Sequence, residues 1–475
     1  MGTYNHARRD FLRACALGAA SFVMPGCVSI AKQSASKASR GKPNIVFIVA
    51  DDLGWKDVGY HGGDIKTPNI DRLASAGTRL NQFYVQPVCS PTRSSLMTGR
   101  YPIRYGLQVG VIRPWAKHGL ALEERTLAEA LKQAGYVTAV CGKWHLGHLS
   151  PDYLPTSRGF DHQYGHYNGA LDYFTHIRDG GLDWHRNDEP LREAGYTTNL
   201  IADESVCLIE QHNASRPLFL YIPFNAPHSP FQAPQSYIDM YRHVKARNRR
   251  IYAAMVTCMD DAIGQIVSAL DKRGMKENTL IVFCSDNGGT GNAGNNGLLR
   301  GHKAQLYEGG VRVPAIAVWP GVLKAGAVVD EPLHIVDMYP TLLRLAGAKL
   351  EQALPIDGKD IWPTIAEGRP SPHEEILLNC TAANGAIRRG SWKLVRNGSI
   401  GANNAGRQVD QEVFELFNLS DDPYEKNNLV EKYPQKFQEL KRRLELYAMQ
   451  AAKPNIPPNR MPKDFKVPKA WGHPD

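Results

Sequence analysis

The sequence predicts an α/β fold: a large, mostly parallel sheet with helices on both faces, joined to a small C-terminal α+β subdomain with an antiparallel sheet. Three observations carry this expectation. Four apolar, β-branched runs each stop abruptly at polar residues, helical patterns lie between them, and near residue 370 the alternation gives way to closely spaced strand patterns. Continuous apolar runs suit central parallel strands, which are buried on both faces. Strand–helix alternation is the pattern that builds such a sheet.

In "KPNIVFIVADDLGW" the run Ile45 to Val49 is closed by Asp51, Asp52 and Gly54. "TLIVFCSDNGG" ends in Asp286 and Asn287, "GYVTAVCGKWHLGH" delivers Lys143 and His145, and "PLFLYIPFNAPHSPF" delivers His228. An isolated Asp-Asp is commonly a turn or a helix cap. Four such endings in one chain point instead to a shared site at the carboxyl ends of parallel strands. Between them, "TPNIDRLASAGTRL" has a Thr67-Pro68 helix entry and stops at Gly77, and "ERTLAEALKQAGY" places Leu127, Ala130, Leu131 and Ala134 on one helical face.

Residues 43–370 therefore read as the main domain. "HEEILLNC", "GAIRRGSWKLVRNG" and "EVFELFNL" then supply short strands, and "YPQKFQELKRRLELYAMQ" a helix, for a subdomain over 371–450. Prolines 454, 457, 458, 462, 468 and 474 make 451–475 an extended tail, either packed on the surface or disordered.

The chain of 475 residues has a formal charge of +9, but seven Lys and Arg against the single acid Asp10 fall within residues 1–42, leaving +3 for the rest. That balance gives no case for nucleic-acid binding. "ARRDFLRACALGAASFVMPGC" has paired Arg8-Arg9 before a short apolar stretch, too short to span a bilayer. It resembles a twin-arginine export signal, with a basic N-terminal helix as the plainer alternative. "MPGC" resembles a lipoprotein cleavage box with Cys27 as the lipidated residue, and 28–42 reads as a tether. The expectation is a periplasmic or cell-surface protein.

The eight cysteines are scattered without a C-x-x-C pair, which excludes a zinc ribbon or disulfide scaffold. Cys258 and Cys284 sit in apolar runs and read as small buried hydrophobes. Asp51, Asp52, Asp286 and Asn287 offer only oxygen, a set that favours calcium or magnesium over zinc. The glycine-rich "GGTGNAGNNG" lacks the Gly-Lys-Ser/Thr of a phosphate loop and reads as a metal-site loop. Cys89, in "VCSPTRSSLMTGRYP", is the anomaly. Thiolate is a soft ligand and a poor partner for such an ion.

Cys89-Ser90-Pro91-Thr92-Arg93, continuing through Thr98-Gly99-Arg100, resembles the signature of the formylglycine-dependent sulfatases, and "GKWHLG" resembles that family's second signature. The similarity runs over roughly 43–440. "LRGHKAQLYEGGVRVP" is similar to the arylsulfatase B-like branch, which includes N-acetylgalactosamine-4-sulfatases, although His302 stands where a more basic residue is common. The resemblance implies an alkaline phosphatase-like α/β/α sandwich and an enzyme that hydrolyses sulfate esters of glycosaminoglycans or algal galactans. It implies one calcium ion on Asp51, Asp52, Asp286 and Asn287, and conversion of Cys89 to formylglycine by a maturation enzyme. By the same resemblance Arg93 and Lys143 hold the aldehyde hydrate, whose first hydroxyl attacks sulfur. His145 deprotonates the second hydroxyl to expel sulfate, and His228 with Lys303 faces the leaving oxygen.

"NGALDYFTHIRDGGLDWH" is a candidate sugar-contacting loop through Asp172, Tyr173 and His176, with Arg300 and His302 at the pocket rim; packing is the competing reading of its aromatic and histidine residues. Two other functions compete. A phosphomonoesterase or phosphodiesterase of the same superfamily would place Ser or Thr at position 89 and bind paired zinc. A non-catalytic glycan-binding surface lipoprotein would not need the full catalytic set.

Overall fold

The strand Asn44–Ala50 lies at the centre of a ten-stranded sheet, flanked in parallel by Leu218–Pro223 and Thr279–Ser285. Val137–Lys143 and His162–His166 extend the parallel set beyond Leu218–Pro223. On the other side Ala315–Val318 runs antiparallel to Thr279–Ser285 and to Thr78–Leu80, so the sheet is mixed but mostly parallel. The four apolar runs of the sequence are the four adjacent central strands. The computed structural model describes residues 41–400 and 412–473; the expected export signal with Arg8 and Arg9, the candidate lipidation site Cys27 and Pro474 lie outside the described residues.

Strand side chains alternate between faces, and that alternation divides the core in two. Val46 and Ile48 pack with Ile70 and Leu73 of helix Pro68–Ala76, Ile201 of Thr197–Gln211, and Met255 and Ile263 of Arg247–Lys272. Ile45, Phe47 and Val49 pack on the opposite face with Leu96 and Met97 of helix Cys89–Thr98, Leu127 and Leu131 of Leu127–Gln133, and Leu342 of Met338–Leu345. The result is the expected α/β/α sandwich. Helix Leu127–Gln133 begins with a capping box in which Thr126 and Glu129 satisfy each other's backbone amides, which fixes its start. Cys258 and Cys284 are buried in the two cores.

Glu375–Cys380, Gly385–Arg389, Trp392–Arg396 and Phe414–Asn418 form the small antiparallel sheet. One face packs on Leu440 and Leu444 of helix Pro434–Met449. The other face, through Ile376, Ala386 and Phe417, packs on Val88, Leu306 and Tyr307. These three belong to the segments that carry Cys89 and Lys303, so the small sheet braces the site. A buried ion triad reinforces the contact: Lys393 Nζ lies 2.9 Å from Glu308 and 2.8 Å from Glu425. The tail is extended and packed, with Trp471 fully buried.

Candidate active site

The site is built where four strands end. Asp51 and Asp52 follow Ala50, and Asp286 and Asn287 follow Ser285, which pairs with Ala50 in register. The Asp286 amide donates to the Ala50 carbonyl at 3.0 Å and the Asp52 amide to Asp286 Oδ1 at 3.2 Å, so backbone geometry brings the two acid pairs together. Gly288 must be glycine, because a Cβ there would fall 1.8 Å from the Gly309 carbonyl oxygen. Close approach of two loops is a use for a residue without a side chain.

Helix Cys89–Thr98 enters this cluster from below, and all ten of its residues are buried. Arg93 donates through Nη2 to Asp286 at 2.8 Å and through Nη1 to the Lys143 carbonyl at 2.9 Å. Lys143, the last residue of its strand, is ion-paired with Asp51. Lys303 Nζ lies 2.6 Å from Asp52 Oδ1 and 3.4 Å from Cys89 Sγ. Cys89 Sγ lies 3.4 Å from Asp51 Oδ1 and 3.6 Å from Asn287 Oδ1. Burial and the Asp286 and Asp51 carboxylates push its thiol up, away from thiolate.

Burial alone would raise the Asp51 and Asp52 carboxyls, but the surrounding cations outweigh it and hold both below the usual range. For Asp51 these are Lys143, His228 and Arg93; for Asp52, Lys303 and His228. Burial, Lys143 and Arg93 hold His145 well below its ordinary value, so its ring is neutral. His145 Nε2 lies 3.0 Å from the Ile112 carbonyl and Nδ1 has no partner among the described residues. The carbonyl fixes the proton on Nε2, leaving Nδ1 as the acceptor. His228 is half-buried with Nε2 3.7 Å from Asp52 Oδ2 and Nδ1 against the Ser229 carbonyl.

Ligand atoms of Asp51, Asp52, Cys89 and His228 all lie within 4.8 Å of one another. Three carboxylates here face three permanent cations, Arg93, Lys143 and Lys303. A hard divalent ion on the carboxylate and carboxamide oxygens would leave the site net positive, as an oxyanion substrate requires. The residues present fit such an ion. Above Cys89 opens a cavity of about 520 Å³ lined by His145, His228 and Lys303. The structure thus brings together every residue expected to bind metal or take part in catalysis.

The sulfatase family model matches residues 43–348. Mouse arylsulfatase J is 38% identical over 474 residues, covering 90% of this chain and 79% of its own length. The chain belongs to the sulfatase family. It is accordingly a sulfuric ester hydrolase. Human arylsulfatase A is 34% identical, covering 82% of this chain and 83% of its own. The crystal structure of Ps i-CgsB in complex with k-i-k-neocarrahexaose superposes with a TM-score of 0.80 at 34% identity, covering 87% of this chain and 94% of that one.

The five residues expected to touch sugar do not line the sulfatase's cavity. Tyr173 is buried, its hydroxyl donating to the carbonyls of Asn225 at 2.6 Å and His228 at 2.7 Å. Asp172 accepts from Gln232 at 2.6 Å and from the amides of Phe174 and Thr175. His176 is buried on Trp184 and bonds the Gly195 carbonyl. Arg300 pairs with Glu415 and stacks on Tyr307, and His302 is exposed with its ring against the Lys303 carbonyl. These side chains support the walls, because their polar atoms are engaged by loop backbone or by the small sheet. The cavity is lined instead by Gly110–Pro114, Gly169, Ala170, Arg178, Ser229 and Pro230. Arg178 lies within the stretch the sequence singles out; "GVIRPW" carries no motif that would mark Arg113.

Proposed function

We propose that this sulfatase removes sulfate from a sulfated carbohydrate, a glycosaminoglycan or algal galactan, with a 4-O-sulfated galacto-configured sugar as the leading candidate. The observation that carries the chemistry is Cys89 Sγ held between Asp51 Oδ1, Asn287 Oδ1 and Lys303 Nζ at 3.4–3.6 Å. Sulfur is a poor match for hard oxygen donors, whereas oxygen at that position suits both an ion and a lysine. When present, calcium on Asp51, Asp52, Asp286 and Asn287 supplies Lewis acidity, and formylglycine at position 89 supplies a hydrated aldehyde as nucleophile.

The chain's own residues do the rest. Arg93 locks Asp286 to the Lys143 carbonyl, so the cations and carboxylates keep one geometry. Lys303 and Lys143 place positive charge where the ester oxygens gather negative charge. His228, whose Nδ1 donates to the Ser229 carbonyl, gives a proton from Nε2 to the departing sugar oxygen out of its doubly protonated form, which burial and Lys303 oppose and Asp52 favours. His145 takes a proton at Nδ1 to complete sulfate release, and one water is consumed overall. The carrageenan oligosaccharide bound by the similar crystallised protein supports a saccharide substrate. Paired Arg8-Arg9 and Cys27 support export to the periplasm or cell surface, with Cys27 as the candidate lipidated residue.

The test is sulfate release by calcium-loaded enzyme, co-expressed with a formylglycine-generating enzyme, from defined sulfated galactan and glycosaminoglycan oligosaccharides, alongside matched phosphate esters. Release from at least one glycan with little phosphate hydrolysis is expected. Efficient phosphate hydrolysis with paired zinc and no desulfation would favour the phosphatase reading.

A further inference from the structure

The cavity above Cys89 holds more positive charge than one sulfate group uses. Arg93 and Lys143 lie beneath it, and His145, His228 and Lys303 face the reacting atoms. Yet Arg113 and Arg178 also line it, and among the described residues no carboxylate appears in that lining. The Arg113 guanidinium is half-buried and has no partner among the described residues. Among the described residues Arg178 forms an ion pair with its neighbour Asp179, through Nε at 3.0 Å, and its side chain is 28% exposed. Half-buried guanidinium groups facing a cavity are costly to desolvate unless an anion engages them, and their planar donors match sulfate and carboxylate geometry.

Both arginines are held on fixed backbone. Ile112, next to Arg113, accepts from His145 through its carbonyl and donates its amide to Ser90 Oγ at 3.2 Å. Trp115 Nε1 donates to the Pro458 carbonyl at 2.7 Å. On the other wall Trp471 Nε1 donates to the Arg178 carbonyl at 2.8 Å, and the amides of Leu182 and Trp471 bond Lys469 and Leu182 in turn at 2.9 Å. The extended C-terminal tail thus ties down both walls and fixes each arginine's backbone relative to Cys89.

Resting on the sulfatase reading above, we propose that Arg113 and Arg178 form a second anion subsite, which receives a sulfate or carboxylate of the same glycan other than the ester being cleaved. The preferred substrate is then polyanionic, with its second charge close to the scissile sulfate. Neutral sugar hydroxyls would not call for two extra guanidinium groups.

The experiment compares matured wild type with Arg113→Gln and Arg178→Gln, each also made as Arg→Lys. Substrates are an aryl sulfate, a monosulfated neutral disaccharide, a disulfated disaccharide and a monosulfated disaccharide containing a uronic acid. For at least one folded variant, kcat/KM on a doubly charged disaccharide is expected to fall about tenfold further than on the monosulfated neutral one. The gap should narrow at high ionic strength, and the lysine variant should recover part of it. Selective loss on the disulfated substrate identifies sulfate as the second group; selective loss on the uronate identifies carboxylate. Equal losses on singly and doubly charged sugars, or no loss on any, overturn the subsite. Failure of the wild type to cleave even the aryl sulfate would overturn the sulfatase reading instead.

Discussion

Gly169 lies flat against the imidazole of His145: a Cβ at position 169 would sit 2.4 Å from His145 Cε1. Together with the Ile112 carbonyl, that contact fixes the ring proposed above to accept the last proton. Gly169→Ala should displace the ring while leaving the fold intact. We expect kcat for an aryl sulfate to fall by about 10²-fold with an initial burst of phenol, while Tm stays close to wild type. Wild-type turnover in a verified Gly169→Ala protein would show that this contact does not set the ring's position.

Tyr173 acts on the other histidine, through its backbone. Tyr173→Phe removes the hydroxyl that bridges the Asn225 and His228 carbonyls, leaving both without that donor. The expected loss in stability is about 1 kcal/mol, read from chemical denaturation. Activity on glycan substrates should fall more than on aryl sulfates, whose phenolate leaves without help from an acid. Equal losses on both would argue against His228 as the acid.

Cys89 is 1% exposed and its helix is buried along its whole length. The proposed maturation enzyme would therefore reach the cassette only in the unfolded chain. Protein held in the cytoplasm should already show, by peptide mass, the exchange of sulfur and two hydrogens for one oxygen at residue 89. Unmodified cysteine there, with aldehyde only in exported protein, would contradict this order.

The oxygen cluster gives a metal prediction. Chelation should abolish sulfate release and lower Tm, because an ion that binds the folded chain and not the unfolded one stabilises the fold by mass action. Calcium should restore both, and metal analysis should find one calcium per chain. Stoichiometric paired zinc in active protein would overturn the site.

Glu425 gives a pH prediction remote from the metal ligands. Burial pushes its carboxyl up to about 7, and Lys393 only partly offsets this beside Glu308. A raised folded value favours the protonated form, so this contribution to stability is full below the unfolded value and is lost as pH rises through about 7. Glu425→Gln should therefore flatten the fall in Tm between pH 5 and pH 8, relative to wild type. An unchanged pH profile would remove Glu425 from that role.

Some of this was legible in order along the chain. Apolar runs closed by polar residues located the central strands and the ligands at their ends, because burial on both faces forces an unbroken apolar run. The same logic failed for short outer strands such as His185–Arg186 and the edge strand Glu189–Pro190, which are too short to carry a pattern. Nor did it pick out which side chains line the cavity. Aromatic and histidine residues in 168–185 attract attention by type, yet Tyr173 and His176 are turned inward and Arg178 faces the cavity.

By itself, the sequence determined the α/β class, the four strand ends, the oxygen-only ligand set and the Cys89 cassette. Each is a local property: periodicity, residue type or spacing within a few positions. Only the tertiary structure decided the order of strands, the bracing of Lys303 by the small sheet, and the tail's hold on the walls bearing Arg113 and Arg178. The reason is physical. Trp471 and Arg178 are far apart along the chain, and which side chains face a cavity depends on how distant backbones pack, a relation that no local pattern encodes.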